Sequence, residues 1–122
     1  MDFGCGAGFD LFVASRLAGK SSRLCGVDLT RHMAESAREN LASAGVISCE
    51  IIEIESDAIP YADNSFDVVI SNGVINLSPD KPACFRELFR VLKPGGRIQF
   101  ADVVVENELP AHLTGSPEAW SQ

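Results

Sequence analysis

Asp2-Phe3-Gly4-Cys5-Gly6-Ala7-Gly8 is a strand stub that runs into three alternating glycines, and a helical pattern starts directly after it at Phe9. Glycine tolerates positive φ and leaves room for a ligand against the backbone. A loop at the carboxyl end of a first strand, opening into a helix, is where open α/β sheets bind ligands, and the helix amides there favour anionic groups. The dinucleotide fingerprint G-x-G-x-x-G/A fails, because its last position falls on Phe9 or Leu11. A phosphate loop fails too. Ala18-Gly19-Lys20-Ser21 mimics its end, but the required first glycine falls on Ala14, and the tetrapeptide follows a helix.

Working outward, short β-like runs alternate with amphipathic helices. Phe9 to Ala18 predicts a helix with Phe9, Phe12, Val13 and Leu17 inward, closed by Gly19. Arg23 to Asp28 predicts a second strand. Thr30 predicts an N-cap for a helix with Met33, Ala37 and Leu41 inward, ending at Gly45. Cys49 to Glu55 mixes isoleucines with glutamates and predicts a strand at a sheet edge. Val68-Val69-Ile70, within Asp67 to Ser71, predicts a strand buried on both faces. Asp80 to Leu92 predicts a helix with Phe85, Leu88, Phe89 and Leu92 inward and Pro82 in its first turn. Lys93 to Gly96 predicts a turn, Arg97 to Val105 a strand, and Glu106 to Gln122 shows no clear period. This alternation implies an α/β fold, a parallel sheet with helices on both faces and right-handed crossovers.

The 122 residues suffice for one domain, 1–122, and one core. The first strand is short against a usual five or six residues and the tail stops in mid-pattern, so the chain is expected to be a fragment, cut at both ends. A net charge of −7 argues against nucleic-acid backbones. No apolar run approaches the roughly 20 residues of a membrane helix, and no signal peptide is evident. Cys5, Cys25, Cys49 and Cys84 form no C-x-x-C pair, and no metal site is expected. Cys25 and Cys49 lie in strand-like runs and are expected to be buried. Unpaired thiols suit a reducing cytoplasm. Asp28 closes the second strand 20 residues beyond Gly8, where a carboxylate can accept from both hydroxyls of a ribose.

At these residues the chain resembles class I S-adenosylmethionine-dependent methyltransferases. The acidic residue followed by G-x-G-x-G matches Asp2 to Gly8, and the acid ending strand two matches Asp28. An Asp-Ala pair after strand three matches Asp57-Ala58. P-[FY]-x-[DE]-x-[ST]-F-D matches Pro60 to Asp67, and L-[KR]-P-G-G matches Leu92 to Gly96. The resemblance implies a Rossmann-like methyltransferase fold with S-adenosylmethionine as cofactor, and two further strands that this chain lacks. It implies that Asp2, Gly4, Cys5, Gly6 and Gly8 form the cofactor cradle. Asp28 and Leu29 would meet the ribose side, with Met33 near the adenosine. Asp57 would accept from the adenine amino group with Ala58 beside the ring, and Asn72 and Gly73 would lie beside the transferred methyl.

A narrower resemblance, to arsenite methyltransferases, appears at Ser71-Asn72-Gly73-Val74-Ile75-Asn76-Leu77-Ser78-Pro79-Asp80-Lys81, with Glu108-Leu109-Pro110 and Trp120. That group carries a metalloid-binding cysteine where this chain has Gly73, and trivalent arsenic wants soft thiolates. The expected partner is therefore a small molecule or a metalloid, with no nucleic acid and no membrane. Catalysis is expected to be alignment of nucleophile and methyl. Asp102 and His32 are conceivable bases, but Asp102 is expected to pair locally and His32 to face water, so no catalytic residue is assigned. A cofactor-binding fragment without catalysis is the alternative reading.

Overall fold

Five parallel strands stand in the order β3-β2-β1-β4-β5 in a computed structural model that describes residues 1–104 and 106. Here β1 is Asp2–Phe3, β2 Leu24–Asp28, β3 Cys49–Glu53, β4 Phe66–Asn72 and β5 Leu92–Ala101. The helices are α1 Phe9–Leu17, α2 Arg31–Ser43 and α3 Lys81–Val91, and a short 3-10 turn covers Ile75–Leu77. The two-residue β1 is central. Asp2 pairs with Gly26 on one side and Ile70 on the other. The chain reverses direction in the sheet at β1, and its loop opens between β2 and β4, the position where doubly wound sheets take ligands. The acidic β3 is an edge strand, as its glutamates predict.

Alternating strand residues feed two cores, one on each face. On one face Phe3, Val27, Ile54 and Val69 pack with Cys84, Leu88 and Val91 of α3. On the other, Leu11 of α1 packs with Ala34, Ala37 and Leu41 of α2 and with Ile51. Small alanines let α2 lie close to the sheet, as close packing of the interior requires.

Several expected faces are corrected. In α1 only Leu11 is buried, and Phe9 and Leu17 are 75% and 82% exposed. The helix carries apolar residues on most of its circumference, so spacing alone does not choose its inner face. In α2, Ala34 takes the inner position expected of Met33. In α3, Cys84, Leu88 and Val91 face inward, while Phe89 is 80% exposed and Phe85 lies against Phe100. Thr30 is the N-cap of α2 without a side-chain bond, and the Asp28 carboxylate accepts from its amide instead. Asp80 is the true side-chain cap, accepting from Ala83 N of α3 at 2.9 Å. β4 is not buried on both faces. Val69 is fully buried, but Val68 is 48% exposed. Lys93 to Gly96 bulge out of β5, where two steps on β4, Phe66 to Val68, face five on β5, Leu92 to Arg97. The described pairing of β5 runs through Ala101, and Val105, where the strand was expected to end, lies outside the described residues. Cys25 is buried and Cys49 only half-buried.

Candidate functional site

The glycine loop is held by the strand beside it. Gly4 N and Cys5 N both donate to Val27 O, at 2.8 and 3.0 Å. Gly6 N donates to Asp28 Oδ2 and Thr30 N to Asp28 Oδ1, each at 2.8 Å. One buried carboxylate therefore ties the loop to the end of β2 and to the start of α2. Ionised, it has about four acceptor directions, and two remain for a ligand. Gly4 has φ +75°, and a Cβ there would collide with Val74 from the segment after β4. Gly8, with φ +88°, caps α1, and a Cβ would stand 3.3 Å from the Ala37 backbone. Gly4 thus admits the β4 segment over the loop, and Gly8 lets α1 approach α2.

A cavity of about 360 Å³ opens beside this loop at the carboxyl ends of β1, β2 and β4. Its volume lies in the roughly 300–1,000 Å³ range of small-molecule sites. Of the residues expected from sequence, Gly4, Gly6, Asp28, Leu29, Met33, Asp57 and Asn72 line it together. Asp2, Cys5, Gly8, Ala58 and Gly73 do not. Gly8 supports the helix packing just described. Ala58 is exposed on the loop beside Asp57. Gly73, with φ +69°, has open space where a Cβ would project. Among the lining residues that sequence reasoning missed are Ile54, Val74, Leu77 and Ser78. The N-L-S-P segment that carries two of them belongs to the stretch from Ser71 to Lys81 that carries the narrower resemblance, which implies no cofactor role for either.

Charges near the cavity are strained by burial. Asp2 is 2% exposed, and its Oδ1 has no partner among the described residues. Burial pushes its carboxyl up to about 7. Asp10 and Asp28 push the same way, against the chain's amino group. Asn72 Nδ2 donates to Asp10 Oδ2 at 3.3 Å, linking β4 to the first turn of α1. Ser78 Oγ donates to Asp57 Oδ2. Burial also pushes the thiols up, Cys5 to about 12 and Cys49 and Cys84 to about 11. None is an activated nucleophile or a ready thiolate. Asp102 accepts from Val103 N beside it and, beyond the local pairing expected, from Asn76 N in the segment after β4, both at 2.9 Å. His32 faces solvent. No group of three His, Cys, Asp or Glu side chains converges on a metal position among the described residues. Glu108, Leu109, Pro110 and Trp120 lie outside the described residues.

A larger recess of about 720 Å³ lies between α1 and the amino ends of β2 and β4. Parallel sheets bind ligands at the opposite, carboxyl ends, so the smaller cavity is the candidate site. It fits an adenosyl cofactor by chemistry. An apolar wall of Phe3, Ile54, Met33 and Leu77 faces carboxylates at Asp28 and Asp57, with open backbone at Gly6.

A parallel sheet with a small-molecule cavity beside an alternating glycine loop is the arrangement of cofactor-binding α/β domains. The chain belongs to the methyltransferase domain family, whose model matches residues 1–122. It is 41% identical to an arsenite methyltransferase of Halobacterium salinarum over 98% of this chain and 30% of the relative. It is 37% identical to the ubiquinone/menaquinone biosynthesis C-methyltransferase UbiE of Klebsiella pneumoniae over 75% of this chain and 38% of the relative. A SAM-dependent methyltransferase from Aquifex aeolicus superposes with a TM-score of 0.79 at 25% identity, covering 91% of this chain and 61% of the other. The chain thus spans about a third of the length of the curated relatives it matches. S-adenosylmethionine is the cofactor of this class. No helix among the described residues is long and apolar enough to cross a membrane.

Proposed function

We propose that this chain is the cofactor-binding domain, residues 1–122, of an S-adenosylmethionine-dependent methyltransferase that acts on a small molecule or metalloid. The observation that carries the reading is the cavity itself. It brings Gly4, Gly6, Asp28, Met33, Asp57 and Asn72 to one place from four separate parts of the chain. In this reading Asp28 accepts from the ribose hydroxyls with its remaining lone pairs, and Leu29 lies beside the sugar. Asp57 accepts from the adenine amino group, with Met33 against the adenosine and Ala58 at the rim. Gly4 and Gly6 admit the methionyl chain. Asp2, Cys5 and Gly8 support the loop from beneath, and Asn72 and Gly73 border the methyl.

When bound, the cofactor supplies an electrophilic methyl on a sulfonium. The protein's part is to bind, orient and exclude water, which is catalysis by proximity. No general base is assigned, because Asp102 is engaged with two backbone amides. Calorimetric titration with S-adenosylhomocysteine, with NAD as control, tests the reading. Heat with the former and none with the latter is expected, and binding of NAD alone would overturn it.

The relatives described as arsenite methyltransferases share the scaffold, and this chain departs from that group's expected cysteine at Gly73. The thiols it does carry are held protonated by burial. With no thiol at Gly73 and no group of three metal-ligating side chains among the described residues, an organic small molecule is the favoured acceptor. Efficient transfer to arsenite with every cysteine other than these four replaced would refute this preference. The four free thiols suit a reducing compartment, so the reading includes the cytoplasm. The acidic charge argues against a nucleic-acid partner.

A further inference from the structure

Asp57 is held at one oxygen only. Ser78 Oγ donates to its Oδ2, and no other hydrogen bond reaches the Asp57 side chain among the described residues. Ser78 is itself 7% exposed and sits in the cavity wall. Its backbone is fixed on both sides. Ser78 N donates to Ile75 O at 3.1 Å, and Lys81 Nζ donates to Ser78 O at 3.2 Å. The loop that carries Asp57 is anchored separately. Ile59 N donates to Glu87 Oε2, and Arg90 Nη2 donates to Ile59 O, each at 2.9 Å. Two independent attachments to the segment from Ser78 to Arg90 therefore define where this carboxylate stands.

A carboxylate turns broadly about its last torsion and presents either oxygen. A hydroxyl donating to Oδ2 removes that freedom and leaves Oδ1 free to accept. The geometry points to Ser78 as a positioning residue that aims Asp57 at the 6-amino group of the purine and so sets the base preference of the cofactor site. This rests on the reading of Asp57 as the adenine partner. An amino group donates to an ionised carboxylate, whereas a 6-oxo group offers a lone pair and repels it. With Ser78 in place, Asp57 cannot turn away from the wrong base. Without it, the carboxylate relaxes and the discrimination shrinks.

The test compares equilibrium affinities for S-adenosylhomocysteine and its 6-oxo analogue, S-inosylhomocysteine, on the same preparation. Their ratio does not depend on the fraction of folded protein. The parent protein is expected to favour the adenine ligand by on the order of a hundredfold, and Ser78→Ala to reduce that preference about tenfold. Ser78→Thr, which keeps the hydroxyl, is expected to retain it. Ser78→Cys, close in volume and a weaker donor, replaces the alanine variant if that one does not fold, with the same direction of change. Asp57→Ala is expected to abolish the preference. A preference unchanged in Ser78→Ala but lost in Asp57→Ala overturns the role of Ser78 and leaves the site intact. A preference unchanged in Asp57→Ala overturns the adenine assignment and the inference with it. No binding of either ligand to the parent protein overturns the proposed function itself.

Discussion

At the scale of single residues, Asp28 carries most structural duty per atom. It accepts from Gly6 N and Thr30 N and lines the cavity as well. Hydrogen bonds to a charged acceptor contribute about 1.5–3 kcal/mol each. Asp28→Ala leaves two amides without their acceptor and is expected to cost about 3 kcal/mol in urea unfolding, with loss of S-adenosylhomocysteine binding. Gly4 and Gly6 are alike in sequence but not in surroundings. Both have positive φ, yet a Cβ collides with Val74 at Gly4 and meets open space at Gly6. Gly6→Ala is expected to cost roughly 1–2 kcal/mol of backbone strain alone. Gly4→Ala is expected to cost more, and Val74→Ala in the same chain should recover only the difference. Thermal melts of the three variants check this, and equal losses at both glycines would contradict it.

Two carboxyls give stability opposite slopes with pH. Burial holds the folded Asp2 pKa at about 7, above its ordinary value. The unfolded chain then releases this proton first, so this contribution to stability falls as pH rises from about 4 to 7. Hydrogen bonds from Arg90 hold Glu87 down to about 2. Its contribution is present above the ordinary glutamate pKa and is lost as pH falls from about 4.5 to 2. Urea midpoints across pH are expected to show the upper slope flattened in Asp2→Asn and the lower slope flattened in Glu87→Gln. Unchanged profiles would exclude these groups as the source.

At the scale of elements, the helices show what periodicity leaves undecided. In α3 the sets Phe85, Leu88, Phe89 and Cys84, Leu88, Val91 are both apolar stripes at helical spacing. The sheet takes the smaller side chains, which allow close approach, and leaves Phe89 outward. Leu88→Ala, at a fully buried position, is expected to cost about 2–5 kcal/mol, and Phe89→Ala within about 0.5 kcal/mol. A larger loss at Phe89 than at Leu88 would place the helix in the other phase. Arg90 of the same helix donates to Ile59 O, Tyr61 O and Asp63 Oδ1 and so pins the loop after β3. That link connects the far side of α3 to the cavity wall.

At the scale of the whole molecule, binding and folding are coupled. A ligand that joins loop, β2 end and β4 segment binds only the folded chain, so S-adenosylhomocysteine at a hundredfold excess over its Kd is expected to stabilise by about 2.7 kcal/mol. Scanning fluorimetry with and without ligand checks it, and a melting curve indifferent to ligand would contradict it. Much of this architecture was legible beforehand. The order of strands and helices, the edge position of β3 and the glycine loop follow from local patterns of residues near one another in the chain. So does the placement of Asp28 at the end of β2, whereas Asp57, in the loop after β3, was legible only through the resemblance to methyltransferases.

The inner faces of α1 and α3, the collision of Gly4 with Val74, the burial of Asp2 and the bond from Ser78 to Asp57 were not legible. Each depends on residues far apart in the chain meeting in the fold, from 21 positions for Asp57 and Ser78 to 85 for Phe3 and Leu88. Sequence by itself determined the class of cofactor through the methyltransferase-like motifs from Asp2 to Gly8, at Asp28, at Asp57-Ala58, from Pro60 to Asp67 and from Leu92 to Gly96, because each is a short local pattern. Only the tertiary structure decided which side chains reach that cofactor and which hold them still, because the segment after β4 must fold back over the loop before any wall exists.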